Sequence, residues 1–260
     1  MKLNLRRALP LLMAAAVFYS ACKKTENKPA STSQNDEISA AIGKNLAQSL
    51  SGQYGGASIK DGVSASSALT SASSKLKTQA IVGCGFFTDN GFDFKFNQGD
   101  TIKSETTGSV NYFFKCDSAS GKTIGYNLFD SLTTVGKGPG YASSITLVQD
   151  YKVRGLNAKN SNFDLNGRLK SWIDFEYKIK PKSATSVHVV FHFVDLEIHG
   201  DDNFDIVKGD ATFESQGKTS TGQAWDYSGT LKFLGNHIAK LTFLSKDYKV
   251  NLLTGVVTPW

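Results

Sequence analysis

The strongest constraint on this chain lies between Phe163 and Ile179, where side-chain character switches at every second residue. Phe163, Leu165, Gly167, Leu169, Ser171, Ile173, Phe175, Tyr177 and Ile179 fall on one side, with Asp164, Arg168, Lys170, Asp174, Glu176 and Lys178 on the other. Successive side chains of an extended strand point to opposite faces, whereas a helix returns to one face every three or four residues, so only a strand sorts residues this way. The alternation recurs at Phe92, Phe94 and Phe96; at Val110, Tyr112 and Phe114; at Ile124, Tyr126, Leu128 and Leu132; and at Trp225, Tyr227, Leu231 and Phe233. Turn signals separate these runs: Asn97 to Asp100, Gly136 to Gly140, His199 to Asp202, and Gly235-Asn236. Strands joined by short turns are antiparallel, and about ten of them up to Leu252 predict a mostly β fold. The expected architecture is an antiparallel meander curled into a barrel, half-barrel or sandwich, with one short N-terminal helix. Val187 to Ile198 is apolar at both parities, which predicts a central strand covered on both sides.

The β pattern begins near Gln79, so the domain is expected over 79–260. Upstream, Ile38, Ala41, Ile42, Leu46 and Leu50 recur three or four apart behind a capping Asn35 or Asp36 and ahead of Gly52, which predicts an amphipathic helix over 36–51. Its polar face carries little basic charge, so docking against the β domain is expected rather than a membrane-surface role. Residues 52–78 are rich in Ser, Ala and Gly without a sustained period and read as a loop, and 22–35 reads as a polar tether.

Residues 1–21 have the order of an export leader: a positive segment, MKLNLRR, an apolar stretch, ALPLLMAAAVFY, then small residues before Cys22. About a dozen apolar residues span roughly 18 Å as a helix, too short for a hydrocarbon core of about 30 Å, so the leader is read as cleaved. Tyr19-Ser20-Ala21-Cys22 resembles the lipobox of bacterial lipoproteins of the Bacteroidota type, with Tyr19 standing where that family usually has an aliphatic residue. The resemblance covers the leader and these four residues. It implies lipidation of Cys22, attachment to a membrane through acyl chains, palmitate among them, and residence in the cell envelope. Lys23 and Lys24, in place of the acidic residues that in such lipoproteins accompany inner-membrane retention or surface export, imply the outer membrane facing the periplasm.

The net charge of +6 includes Lys2, Arg6 and Arg7 of the leader, so 6 minus 3 leaves +3 on the mature chain. Its basic residues are scattered among acidic ones with no basic stripe, which speaks against nucleic acid as a partner. Cys84 and Cys116 both fall at core-facing strand positions, and in an oxidising envelope they are expected to form a disulfide worth roughly 3 to 4 kcal/mol by chain entropy. No metal site is expected: His188 and His192, four residues apart on a strand, stand about 13 Å apart, too far to share an ion. The acidic turn Asp201, Asp202, Asn203, Asp205 lacks the spacing of a calcium loop, and Gly136 to Gly140 matches a phosphate loop in glycine content alone. Asp174 and Glu176 lie on a polar strand face, where cross-strand ion pairs are the ordinary use. No catalytic residues or cofactors are read from the sequence.

The function expected is a lipid-anchored envelope lipoprotein that binds an apolar or glycan ligand or serves structurally, without catalysis. Two alternatives stand: a hydrolase acting on envelope glycans, with converging carboxylates, and an outer-membrane-spanning β-barrel. The interior discriminates, since a cavity of a few hundred Å³ lined by Phe and Leu suits a carrier and a filled core a structural protein.

Overall fold

A computed structural model describes residues 34–59, 85, 87–98, 101–155, 162–180, 182–200 and 204–260. The leader, Cys22 and Cys84 lie outside these residues. One helix, α1 (Gln34–Leu50), precedes eleven strands: β1 (Phe87–Gln98), β2 (Ile102–Cys116), β3 (Thr123–Gly138), β4 (Tyr141–Arg154), β5 (Phe163–Tyr177), β6 (Ser183–His199), β7 (Asp205–Lys218), β8 (Ala224–Phe233), β9 (Ile238–Phe243), β10 (Lys246–Asn251) and β11 (Val257–Pro259). They form one sheet in strict chain order, with each neighbouring pair antiparallel. The mostly β meander is therefore the architecture, and the sheet does not close, so β1 and β11 remain its edges. Pro259, which has no amide to donate, sits on the edge strand β11 opposite Tyr248.

The side of the sheet predicted to be apolar is the inner one. Leu128, Leu147, Leu169, Phe191, Phe213 and Leu241 are each 0 or 1 % exposed, so one core runs across β3 to β9. Helix α1 lies on that face. Its Ile38, Ile42 and Leu46 are wholly buried, and it packs against β6, β10 and β11. A single helix reaching strands five apart requires the sheet to curl around it. Gly43 marks the closest approach: a Cβ there would stand 2.4 Å from Val257 Cγ2.

Strand β6 is central, as expected, yet its outer side is open, with His192 exposed and Val194 52 % exposed. The apolar residues at both parities have another cause. One extra residue enters β6 after Phe193, where the pairing with β5 passes from Phe193–Gly167 to Leu196–Leu165 and Asp195 adopts φ 49°. This β-bulge flips the strand's parity, so Val189, Phe191 and Phe193 face inward before it and Leu196 and Ile198 after it. The Asn166 side chain fixes the bulge by accepting the Asp195 amide at 2.9 Å.

Residues 51–59, within the stretch read as a loop, continue from α1 across the inner face of β3 and β4. Ile59 is 5 % exposed, and a Cβ on Gly56 would fall 2.3 Å from Leu147 Cδ2.

Candidate functional site

Two features of the inner face stand apart from ordinary core. The first is a buried polar grip. Inner positions of β3 run Tyr126, Leu128, Asp130, Leu132, and those of β4 run Ile145, Leu147, Gln149, Tyr151, Val153, so Asp130 and Gln149 occupy apolar places. Both hold the crossing segment. The Ala57 amide donates to Gln149 Oε1 at 2.7 Å and lies 3.1 Å from Asp130 Oδ2, and Gln149 Nε2 donates to the Ala57 carbonyl at 2.9 Å. Burial pushes the Asp130 carboxyl up to about 6, partly offset by the Ala57 amide. Desolvation also lifts the Tyr112 and Tyr151 hydroxyls well above their ordinary range, with the charge on Asp130 adding to both. Such a carboxyl resembles a general acid, but burial and the Ala57 amide account for its shift, and among the described residues no second carboxylate contributes to it. Apolar alternation alone does not single out either residue, although a polar side chain at an inner position of an alternating run is a readable signal.

The second feature is where the cover ends. All hairpin turns of β1 to β8 that follow odd-numbered strands, 98–102, 138–141, 177–183 and 218–224, lie at one end of the sheet. Toward that end burial fades on β5 and β6, although Ile145, Trp225 and Thr219 stay covered. Leu132, Leu147, Ser171 and Val189 are covered, but in the next cross-strand row Ile173 and Val187 are half-buried, and in the row beyond it so are Phe175 and Thr185. Phe94 and Phe96 on β1 are 62 and 38 % exposed. Register places Ser104, Gly136 and Ser143 in a row between Phe96 and Phe175. Thr106 and Thr134 lie between Phe94 and Ile145, their hydroxyls 2.9 Å apart and bonded to each other. Small residues thus floor a shallow trough walled by aromatic rings, about 19 Å wide from β1 to β5 at ordinary strand spacing. Tyr141 stacks on Phe175, centroids 6.2 Å apart, and firms up one wall.

The outer face carries Asp150, Arg168, Lys170, Asp174, Glu214 and Lys232 on β4 to β8, and toward β1 to β3 it also exposes Phe87, Phe113, Phe129 and Val135. Trp172 projects there, 37 % exposed, but its ring is engaged by the protein itself: Lys170 Nζ lies 3.3 Å from its centroid and the His188 ring stacks at 5.3 Å. His188 is hydrogen-bonded to Asp174 at 3.0 Å, while His192 points to solvent. Asp205 accepts the amides of Asn236 and His237 and so closes the β8–β9 turn; Asp201, Asp202 and Asn203 lie outside the described residues. Gly136 to Gly138 end β3, and Pro139 and Gly140 make the β3–β4 turn. Among the described residues no group of three His, Cys, Asp or Glu is placed to hold a metal. Cys116 ends β2 half-buried, and the Gly85 amide donates to the Phe114 carbonyl at 3.3 Å, two residues from it.

Two surface clefts lie among the described residues. One of about 310 Å³ is lined by Thr101, Lys103, Lys137, Gly138, Pro139 and Lys178, and one of about 360 Å³ by residues including Leu234, Ile238, Pro259 and Trp260. Neither is an enclosed chamber lined by Phe and Leu. No protein-family model, curated protein or solved structure matches the chain.

Proposed function

We propose that this chain is a lipid-anchored lipoprotein of the cell envelope, acylated at Cys22 and facing the periplasm from the outer membrane, whose sheet binds an apolar ligand without catalysis. The observation that carries the binding reading is the trough. An inner face built of Phe, Tyr and Ile runs out past its crossing segment, leaving Phe94 62 % exposed on the β1 side of the trough and Phe175 and Tyr177 half-buried on the β5 side. Large apolar groups left together at the end of a core mark interaction sites in soluble domains. The ligand lies on an open face rather than in a closed cavity. A glycan is the weaker choice, because both exposed Trp rings are engaged by lysines of the protein itself, Trp172 by Lys170 with His188 stacked on it and Trp260 by Lys240. The hydrolase finds little support in a buried Asp130 without a partner carboxylate among the described residues, and the spanning barrel little in an unclosed sheet whose β4 to β8 carry charges on the outer face. A bridge between Cys84 and Cys116 belongs to the same proposal, supported by the contact of Gly85 with Phe114.

The test uses the mature chain with Cys22→Ala, titrated with the neutral fluorescent probe N-phenyl-1-naphthylamine. Saturable uptake is expected, weakened about tenfold by Phe94→Ser with Phe96→Ser, since each removes apolar contact from an already exposed position. No saturable uptake, or unchanged uptake in the double variant, would overturn the trough. For the anchor, mass spectrometry of the N-terminal peptide from purified membranes should find Cys22 diacylated or triacylated. An unmodified cysteine would refute it.

A further inference from the structure

We infer that the trough end of the sheet seats on an anionic phospholipid surface, its lysines pairing with the headgroup phosphates. The inference rests on the binding reading for its apolar half and on charge for the rest. The spans that make up this end, from 98 to 103, 137 to 141, 177 to 183 and 218 to 224, carry Lys103, Lys137, Lys178, Lys180, Lys182 and Lys218. Their single acid is Asp100, which lies outside the described residues; six minus one leaves five positive charges. The opposite end is mixed, with Asp117, Asp164, Glu197 and Asp205 among Lys115, Lys122, Arg154 and Lys208.

The arrangement of three of these lysines needs a partner. Lys103 and Lys137 are paired directly across β2 and β3, and with Lys178 they line the cleft of about 310 Å³. Like charges directly opposed on one sheet face destabilise it. Lysines also stand opposed in the row Lys232, Lys240 and Lys249, but there Asp247 takes Lys240 at 2.7 Å; Lys95 and Lys208 likewise meet Glu105 at 3.1 Å and Glu197 at 2.6 Å. Within 4 Å of Lys103, Lys137 or Lys178 no carboxylate is found among the described residues, and Glu176 stands in their cross-strand row only beyond the intervening Ala142. An external anion supplies what the chain omits.

Width and polarity identify the anion. Lysines spread from β2 to β7 cover five strand spacings, roughly 24 Å, more than one small ion can bridge and suited to several headgroups. They flank a rim whose other side is apolar, with Phe94, Phe96 and Ile179 exposed by 62, 38 and 54 %. Lysine stems lie along such surface with their ammonium groups in the headgroup layer, and aromatic rings favour the same depth. Seated in this way, the mouth of the trough faces the acyl chains.

The experiment is co-sedimentation of the full mature chain, with Cys22→Ala so that no acyl anchor contributes, on vesicles of phosphatidylcholine alone or mixed equally with phosphatidylglycerol. Binding is expected to the mixed vesicles, to weaken as salt rises, and to fall on the order of a hundredfold in Lys103→Gln with Lys137→Gln and Lys178→Gln. These side chains line the surface, and a thermal midpoint no lower than the parent's checks the fold. Equal binding to both vesicles, or full binding by the triple variant, overturns the inference. So does displacement by millimolar inorganic phosphate at constant ionic strength, which marks a plain anion cleft. Absent vesicle binding with intact probe uptake overturns it while leaving the trough standing; phosphatidylglycerol-dependent binding without probe uptake upholds it and removes the trough.

Discussion

Asp130 is the residue least in keeping with its surroundings, since a carboxyl 5 % exposed among Tyr112, Leu128 and Tyr151 has one amide hydrogen bond to set against desolvation. Its pKa rises from 3.8 to about 6 in the fold. The folded value exceeds the unfolded one, so folding takes up a proton between them. The group's contribution to stability is whole below about pH 4 and is lost as pH climbs through about 6, by at most about 3 kcal/mol. Asp130→Asn keeps an oxygen for the Ala57 amide and deletes the charge. Urea unfolding is expected to show the variant equal to the parent near pH 4 and more stable by about 1 to 3 kcal/mol near pH 8. A variant weaker near pH 8 would mean that the ionised carboxylate is required. The position was legible in principle. Tyr126, Leu128 and Leu132 define the inner parity of β3, and 130 falls on it; what the sequence does not carry is the partner, because Ala57 lies 73 residues away.

At the scale of elements, periodicity reports side-chain direction but not interruptions of it. The long run from Phe163 to Tyr177 keeps its parity and becomes β5 as read, and the spacing of Ile38, Ile42 and Leu46 becomes the buried stripe of α1. In β6 the same reasoning takes apolar residues at both parities for burial on both faces. The cause is Asp195 at φ 49°, one added residue that exchanges the faces, and nothing in a run of Val, Phe and Leu announces it. Gly209 at φ 121°, opposite the bulge on β7, is the nearest clue, since a glycine within a strand often marks such a break. The bulge makes a prediction of its own. Asp195→Gly suits the left-handed backbone and should leave thermal stability within about 0.5 kcal/mol, whereas Asp195→Val, β-branched at positive φ, should cost about 1 to 3 kcal/mol. Equal midpoints for the two variants would show that the bulge relaxes freely.

The whole molecule is an open sheet, and an open sheet has to cover its apolar face with something other than itself. Helix α1 and residues 51–59 do this over β3, β4, β6, β10 and β11, with Gln34 at the start of α1 hydrogen-bonded to Gln223 of the β7–β8 turn, which makes the upstream segment part of the core although the β pattern starts only near Gln79. Four α1 side chains, Ile38, Ile42, Leu46 and Leu50, are at most 5 % exposed. At about 2 kcal/mol for each fully buried aliphatic side chain they contribute roughly 8 kcal/mol, as much as the whole net stability of an ordinary domain. The covered half of the sheet therefore does not survive loss of the helix, while the trough half is built to remain uncovered. A chain beginning at residue 34 should unfold cooperatively in urea with the midpoint of the mature protein. A chain beginning at residue 60 should keep strand-rich far-ultraviolet circular dichroism at best, bind anilinonaphthalene sulfonate strongly, and lose its cooperative transition. A peptide of residues 34–59 added in trans should restore the transition, because the groove between β6 and β11 and the grip of Gln149 on Ala57 are formed by side chains the truncated chain retains. If the shorter chain instead unfolds at the same midpoint as the longer one, the helix is an accessory on a sheet stable alone. The open trough would then be no different in kind from the rest of the inner face.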